Sequence, residues 1–109
     1  MNEKDKALVC EFKDRLPAEA KAHLKKLLVF GSKARGEENP DSDLDVVALV
    51  DVKTPEIEKQ YDETAYQVMW DNDFKPIISI KVFPESHFYD SLGRGFSFYK
   101  NIERDGIAV

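Results

Sequence analysis

Apolar residues recur at helical spacing over residues 3–15, where Ala7, Leu8, Phe12 and Leu16 share one side. Pro17 interrupts the pattern and suits a first helical position, where its missing N–H costs nothing. Residues 18–25 are therefore expected as a second helical piece. Lys26-Leu27-Leu28-Val29-Phe30 is a short, mostly apolar run that stops at Gly31 and reads as a buried strand. A turn with a short helical continuation follows over 31–36, then a polar loop over 37–42 that contains Pro40. Residues 43–52 make the best strand of the chain: Leu44, Val46, Val47, Ala48, Leu49 and Val50 are nearly continuous, as in a sheet covered on both faces. Thr54-Pro55-Glu56 supplies an N-cap, a proline at the first helical position and an acid in the first turn. Ile57, Tyr61, Ala65, Val68 and Met69 continue that helix as one stripe, which should end near 71–73. A third strand is expected over 76–83, a short helix over 85–92, and a last helix over 96–105 closed by Gly106.

This order predicts an α/β (α+β) domain: a small mixed sheet of about three strands with helices packed on it. No repeat, low-complexity stretch or Pro/Gly-rich linker divides the 109 residues, so residues 1–109 read as one domain. A chain this short has one modest core, and its site should be an open cleft rather than a large cavity.

Composition narrows the function. The net charge is −5, from 21 acidic and 16 basic residues, which argues against a protein whose main task is gripping nucleic acid. The one cysteine, Cys10, excludes an internal disulfide and a cysteine-built zinc site. With Leu8, Val9 and Phe12 as neighbours it is expected to be a small buried hydrophobe. No stretch is long enough to cross a bilayer, and the start has no apolar run behind basic residues. The expectation is a soluble, cytoplasmic protein with no membrane partner.

The chemistry concentrates in Gly31-Ser32-Lys33-Ala34-Arg35-Gly36 and in Asp41-Ser42-Asp43-Leu44-Asp45-Val46. Asp43 and Asp45 stand two apart at a strand start, so both carboxylates face one side. Side by side they repel, and a hard divalent cation relieves that repulsion; Mg²⁺ favours one or two carboxylates plus phosphate oxygens. A strand that ends in Gly-Ser and turns into a helix offers backbone N–H groups to an anion, and Gly31 lets a phosphate come close. Ser32 adds a hydroxyl, and Lys33 and Arg35 add positive charge. If the two strands pair antiparallel, anion-binding turn and metal-binding carboxylates meet. A nucleoside triphosphate with its Mg²⁺ needs that combination.

Gly31-Ser32, ten residues, then Asp43-x-Asp45 resembles the signature of the DNA polymerase beta-like nucleotidyltransferases. The fuller Gly-Ser-x-Ala-Arg-Gly and Ser-Asp-x-Asp resemble the minimal nucleotidyltransferases of bacteria and archaea, over nearly the whole chain. The resemblance implies that Gly31 and Ser32 hold the triphosphate, with Arg35 assisting, and that Asp43 and Asp45 hold catalytic Mg²⁺. It implies transfer of a nucleoside monophosphate, usually AMP from ATP, with release of pyrophosphate. It also implies a helical HEPN-type partner, which some such transferases neutralise by adenylylation.

The superfamily usually adds a third carboxylate on the neighbouring strand, to hold a second metal or take a proton. One face of that strand carries Ile77, Ser79, Lys81 and Phe83, and the other Ile78, Ile80 and Val82. The acid should fall at Ser79 or Lys81, and neither is one. Glu85, Asp71 or Asp73 folding back, an acid from a partner, or nucleotide binding with little or no transfer are the three ways to accommodate this. Lys81 would then partly neutralise the acidic pair, or serve as an edge-strand lysine that discourages aggregation. His23 and His87 are expected as surface or helix-packing residues. Trp70 is expected in the core or on a partner surface. Of Tyr89, Phe96, Phe98 and Tyr99, most are expected in the core; Phe88, Tyr89, Gly93 and Gly95 are candidates to line the nucleotide cleft.

Overall fold

The computed structural model describes residues 1–37 and 41–109; the middle of the loop expected over 37–42 lies outside them. The elements run α1 (Glu3–Arg15), α2 (Ala18–Ala22), β1 (Leu24–Phe30), α3 (Gly31–Ala34), β2 (Leu44–Val50), α4 (Pro55–Asp71), β3 (Ile78–Pro84), α5 (Glu85–Gly93), α6 (Ser97–Asp105) and β4 (Ile107–Ala108). The sheet order is β3-β2-β1-β4. β1 pairs antiparallel with β2 and with β4, whereas β2 and β3 are parallel, with α4 as the crossover that parallel neighbours require.

Alternation along the strands divides the core between the two sheet faces. Leu44, Val46, Ala48 and Val50 of β2 join Leu27, Val29, Ile78 and Val82 under α1 and α4. Val47 and Leu49 turn the other way and join Leu28, Phe88 and Ile102 under α5 and α6. Tyr61, wholly buried on α4, donates its hydroxyl to the Ala20 carbonyl at 2.9 Å and ties α4 to α2. The start of α4 follows its sequence signals: the Thr54 side chain accepts from the Ile57 N–H at 3.2 Å, with Pro55 next in line.

Four expectations change. The second helix stops at Ala22, because pairing with Val50 draws Leu24 into β1. The sheet gains a fourth strand, two residues long, too short to leave a periodic signature. Cys10 is exposed, because α1 buries Leu8, Val9 and Phe12 and carries residue 10 around to solvent. Of its two expected places Trp70 takes the surface, whereas the C-terminal aromatic residues depart from expectation and are largely outside the core: Tyr89, Phe96 and Phe98 are exposed, and Phe88 and Ile102 fill the space under α5 and α6 instead. No helix among the described residues is long and apolar enough to cross a membrane.

Candidate active site

β1 ends at Phe30 and the chain turns at Gly31, whose φ of +76° lies in the left-handed region that glycine adopts without strain. Ser32, half-buried, follows in the single turn of α3, and a second glycine with positive φ, Gly36, lets the chain leave it. The antiparallel register sets Phe30 opposite Asp45, so the turn and the second carboxylate occupy the same end of the sheet. They touch: a β-carbon on Gly31 would lie 2.6 Å from Asp45 Oδ2.

Asp43 lies just before β2 and is exposed, whereas Asp45 is half-buried within it. Asp45 shares its face with Val47 and Leu49, hence with the smaller core, and lies on the side of the sheet opposite α1 and α4. Burial pushes the Asp45 carboxyl above its ordinary value, the charge of Asp43 pushes it further, and Lys81 pulls it back. Both upward causes are penalties on negative charge, which a bound cation would remove. Two adjacent carboxylates with this electrostatic deficit fit Mg²⁺, whose remaining positions take water and phosphate oxygens.

On the other side of β2, the parallel register sets Ser79 beside Asp45 and Lys81 beside Val47. The position level with the metal-type carboxylate is therefore Ser79. Lys81 lies one step along the same face, exposed on an edge strand and near enough to act on Asp45. Glu85, Asp71 and Asp73 do not complete the pair, since no group of three or more His, Cys, Asp or Glu side chains with metal-binding geometry forms among the described residues. Asp71 instead binds Arg15 at 2.7 Å.

The basic residues of the turn part company. Arg35 is exposed and faces Glu37, with Nε at 3.2 Å and Nη2 at 3.4 Å from its carboxylate oxygens. Such an exposed pair is worth little and opens easily. Lys33 is buried and turned away from solvent, its Nζ 3.2 Å from Asp5 Oδ2. It braces α3 against α1 rather than presenting charge to a ligand, which corrects its expected role. Asp5 is itself buried, and its Oδ2 has no hydrogen-bond partner, so the contact is Coulombic. Nothing local in the sequence marks this pair, because its members, at positions 5 and 33, lie on separate elements.

The nucleotidyltransferase domain family matches residues 9–109, which include the turn, the carboxylate pair and the whole sheet. The chain belongs to this family. Its mixed four-stranded sheet with packed helices is the nucleotidyltransferase fold of the polymerase beta-like superfamily, and nucleotidyl transfer is the general activity attached to that domain. A search of curated proteins found no match. In this nucleotidyltransferase, Phe88 is buried and so leaves the set of cleft candidates. Phe98, not among those candidates, lies beside the site face, its ring centroid 6.1 Å from that of Phe30 and 6.2 Å from that of Phe83. His23 pairs with Asp51 at 2.8 Å, and His87 approaches the Tyr99 hydroxyl at 3.3 Å; both are surface and packing residues.

Proposed function

We propose that this nucleotidyltransferase moves a nucleoside monophosphate, AMP from ATP, to a hydroxyl acceptor in a Mg²⁺-dependent reaction. The observation that carries the reading is the contact of Gly31 with Asp45 Oδ2, which sets the glycine turn against the acidic pair. Gly31 and Ser32 hold the triphosphate, and Arg35 swings from Glu37 to assist. Asp43 and Asp45 hold the cation. Mg²⁺ held there would supply positive charge to the phosphates. The turn and the carboxylates orient the α-phosphorus, so that the acceptor oxygen bonds to it as the bond to the β-phosphate breaks, pyrophosphate leaving and the hydroxyl proton passing to solvent. By resemblance, the acceptor is a hydroxyl on a HEPN-type helical partner in the cytoplasm.

Lys81 favours a second reading. A cation already acts on Asp45, and Ser79 stands level with it where an acid would complete the site. The chain would then bind nucleotide without transferring it and neutralise its partner by forming a complex.

Incubation with α-labelled ATP and Mg²⁺, with and without the helical partner, separates the two. Label that passes to protein and disappears in Asp43→Asn supports transfer. Mg²⁺-dependent ATP binding with no label passed supports the binding subunit. Full activity in Asp43→Asn would sink the assignment of the carboxylates.

A further inference from the structure

The helix that closes the opposite face of the sheet carries a second feature. α4 buries Ile57, Tyr61, Thr64, Ala65 and Val68. At 100° per residue, Tyr66 and Trp70 fall on the side directly away from that stripe, and they are 54% and 65% exposed. Phe74, just past the helix, completes the row. Its ring centroid is 5.6 Å from that of Tyr66 and 6.1 Å from that of Trp70, and the two helix rings are 6.3 Å apart. Phe74 returns to the helix because Asp73 and Phe74 both take left-handed backbone, at φ of 57° and 55°, and its N–H bonds to the Met69 carbonyl at 2.8 Å. Left-handed conformations are unfavourable for residues with a β-carbon. Here they hold an apolar ring against two others in water, which folding alone does not require.

The row stands beside two shallow depressions that follow one another along the same side of the helix. Arg15, Tyr66, Gln67, Trp70 and Asp71 line one of about 270 Å³; Asp62, Glu63, Tyr66 and Gln67 line the other, of about 410 Å³. The rim is acidic. α4 carries Glu56, Glu58, Asp62, Glu63 and Asp71 against a single lysine, Lys59, and that lysine is spanned to Glu63 at 3.8 Å. Arg15 is likewise occupied, by Glu11 and Asp71. Asp62 is held above its ordinary value by partial burial and by Glu58, so added positive charge would favour its ionised form. Pairing this face with a second copy of itself would bring the same carboxylates together, in a chain of net charge −5.

We infer that the outer face of α4 is a docking surface for a helix of another protein, one with an apolar stripe between rows of Lys or Arg. Tyr66, Trp70 and Phe74 are the anchors, of the aromatic type that dominates interface energetics. Asp62 pairs with the basic rows, and Glu63 and Asp71 join it by exchanging their exposed partners Lys59 and Arg15. The surface lies across the sheet from Asp45, so it can be filled while the nucleotide site is open. The inference is independent of transfer activity.

Trp70 is the only tryptophan of the chain and reports directly on the surface. The probes are two synthetic amphipathic helices of about 20 residues, each with a leucine stripe, one flanked by lysines and one by glutamates. The intact protein is titrated with each while Trp70 fluorescence is followed. The lysine-flanked helix should shift emission to the blue and saturate, with affinity falling about tenfold between roughly 50 and 250 mM salt. The glutamate-flanked helix should give no shift. Tyr66→Ser with Phe74→Ser keeps the net charge and should weaken binding at least about tenfold. Tyr66→Ser alone, which leaves the left-handed turn intact, should weaken it in the same direction. Unchanged affinity in Tyr66→Ser would overturn the inference, by reducing the effect to charge attraction. So would binding of the glutamate-flanked helix, or an emission shift that grows with protein concentration alone.

Discussion

A β-carbon on Gly31 would stand 2.6 Å from Asp45 Oδ2, so close that the carboxylate would have to move aside. The φ of +76° at Gly31 adds a second penalty, since a residue with a β-carbon loses about 1–2 kcal/mol there. Gly31→Ala should therefore lower stability by at least that amount in urea unfolding and displace Asp45. Loss of Mg²⁺-dependent nucleotide binding should accompany it. A variant with native stability and native binding would show that the contact has no role.

Asp45 makes a pH-dependent contribution with a definite sign. Burial first, and Asp43 second, raise its folded pKa above the ordinary 3.8. The folded state then holds that proton more tightly than the unfolded chain, so stability is lost as pH rises through the unfolded and then the folded value. Asp45→Asn should raise the melting temperature near neutral pH without metal. The gain should shrink as pH falls towards 3.8. A gain that stays constant across the range would contradict the burial of a charged Asp45.

Ser79 is the place to add the missing acid, because the parallel register puts it level with Asp45. Ser79→Asp should tighten Mg²⁺ binding in calorimetry, and it should increase label transfer if the third carboxylate limits the reaction. Unchanged Mg²⁺ affinity in the variant would show that Ser79 does not face the site.

Much of this site could be read from the amino acids in order. The Gly31-Ser32 turn and the Asp43-x-Asp45 pair sit at fixed positions on adjacent elements, and antiparallel pairing of a strand with its near neighbour follows from a short connection. The apolar runs of β1, β2 and α4 had to be buried, so those elements also came through. What failed depended on partners distant in sequence. The end of α2 was decided by Val50 reaching Leu24, and the charge of Lys33 was claimed by Asp5. Neither Ser79 nor Lys81 could be chosen as the level position until the register of β3 was known. The exposure of Trp70 depended on where the helix face turned: Met69 and Val68 point inward and residue 70 does not.

Tyr61 should mark the alkaline limit of the fold. Burial, followed by the charge of Asp51, pushes its hydroxyl up to about 12 from 10.0. The unfolded chain ionises first, so the stability that Tyr61 contributes is complete below about 10 and is lost as pH rises towards 12. Tyr61→Phe should cost about 1 kcal/mol at neutral pH through the lost bond to Ala20. It should also flatten the decline of melting temperature between those two values. A decline as steep as in the wild type would place its origin elsewhere.

The pair Asp5 and Lys33 calls for a double-mutant cycle. Asp5→Leu or Lys33→Met alone leaves one buried charge uncompensated and should cost about 3–5 kcal/mol. The two together should recover most of the loss, because an apolar pair of similar size removes both charges. Additive losses in urea unfolding would mean that the two side chains do not interact.

That same pair bears on how the protein is to be produced. The family match begins at residue 9, whereas the counter-charge of Lys33 comes from residue 5. A chain cut to the matched span would keep the glycine turn, both carboxylates and every strand. It would also lose the start of α1, which lies over Lys33 and supplies its counter-charge. Such a trimmed protein would open the back of the turn to water, and an inactive preparation of it would report on the cut rather than on the catalytic residues.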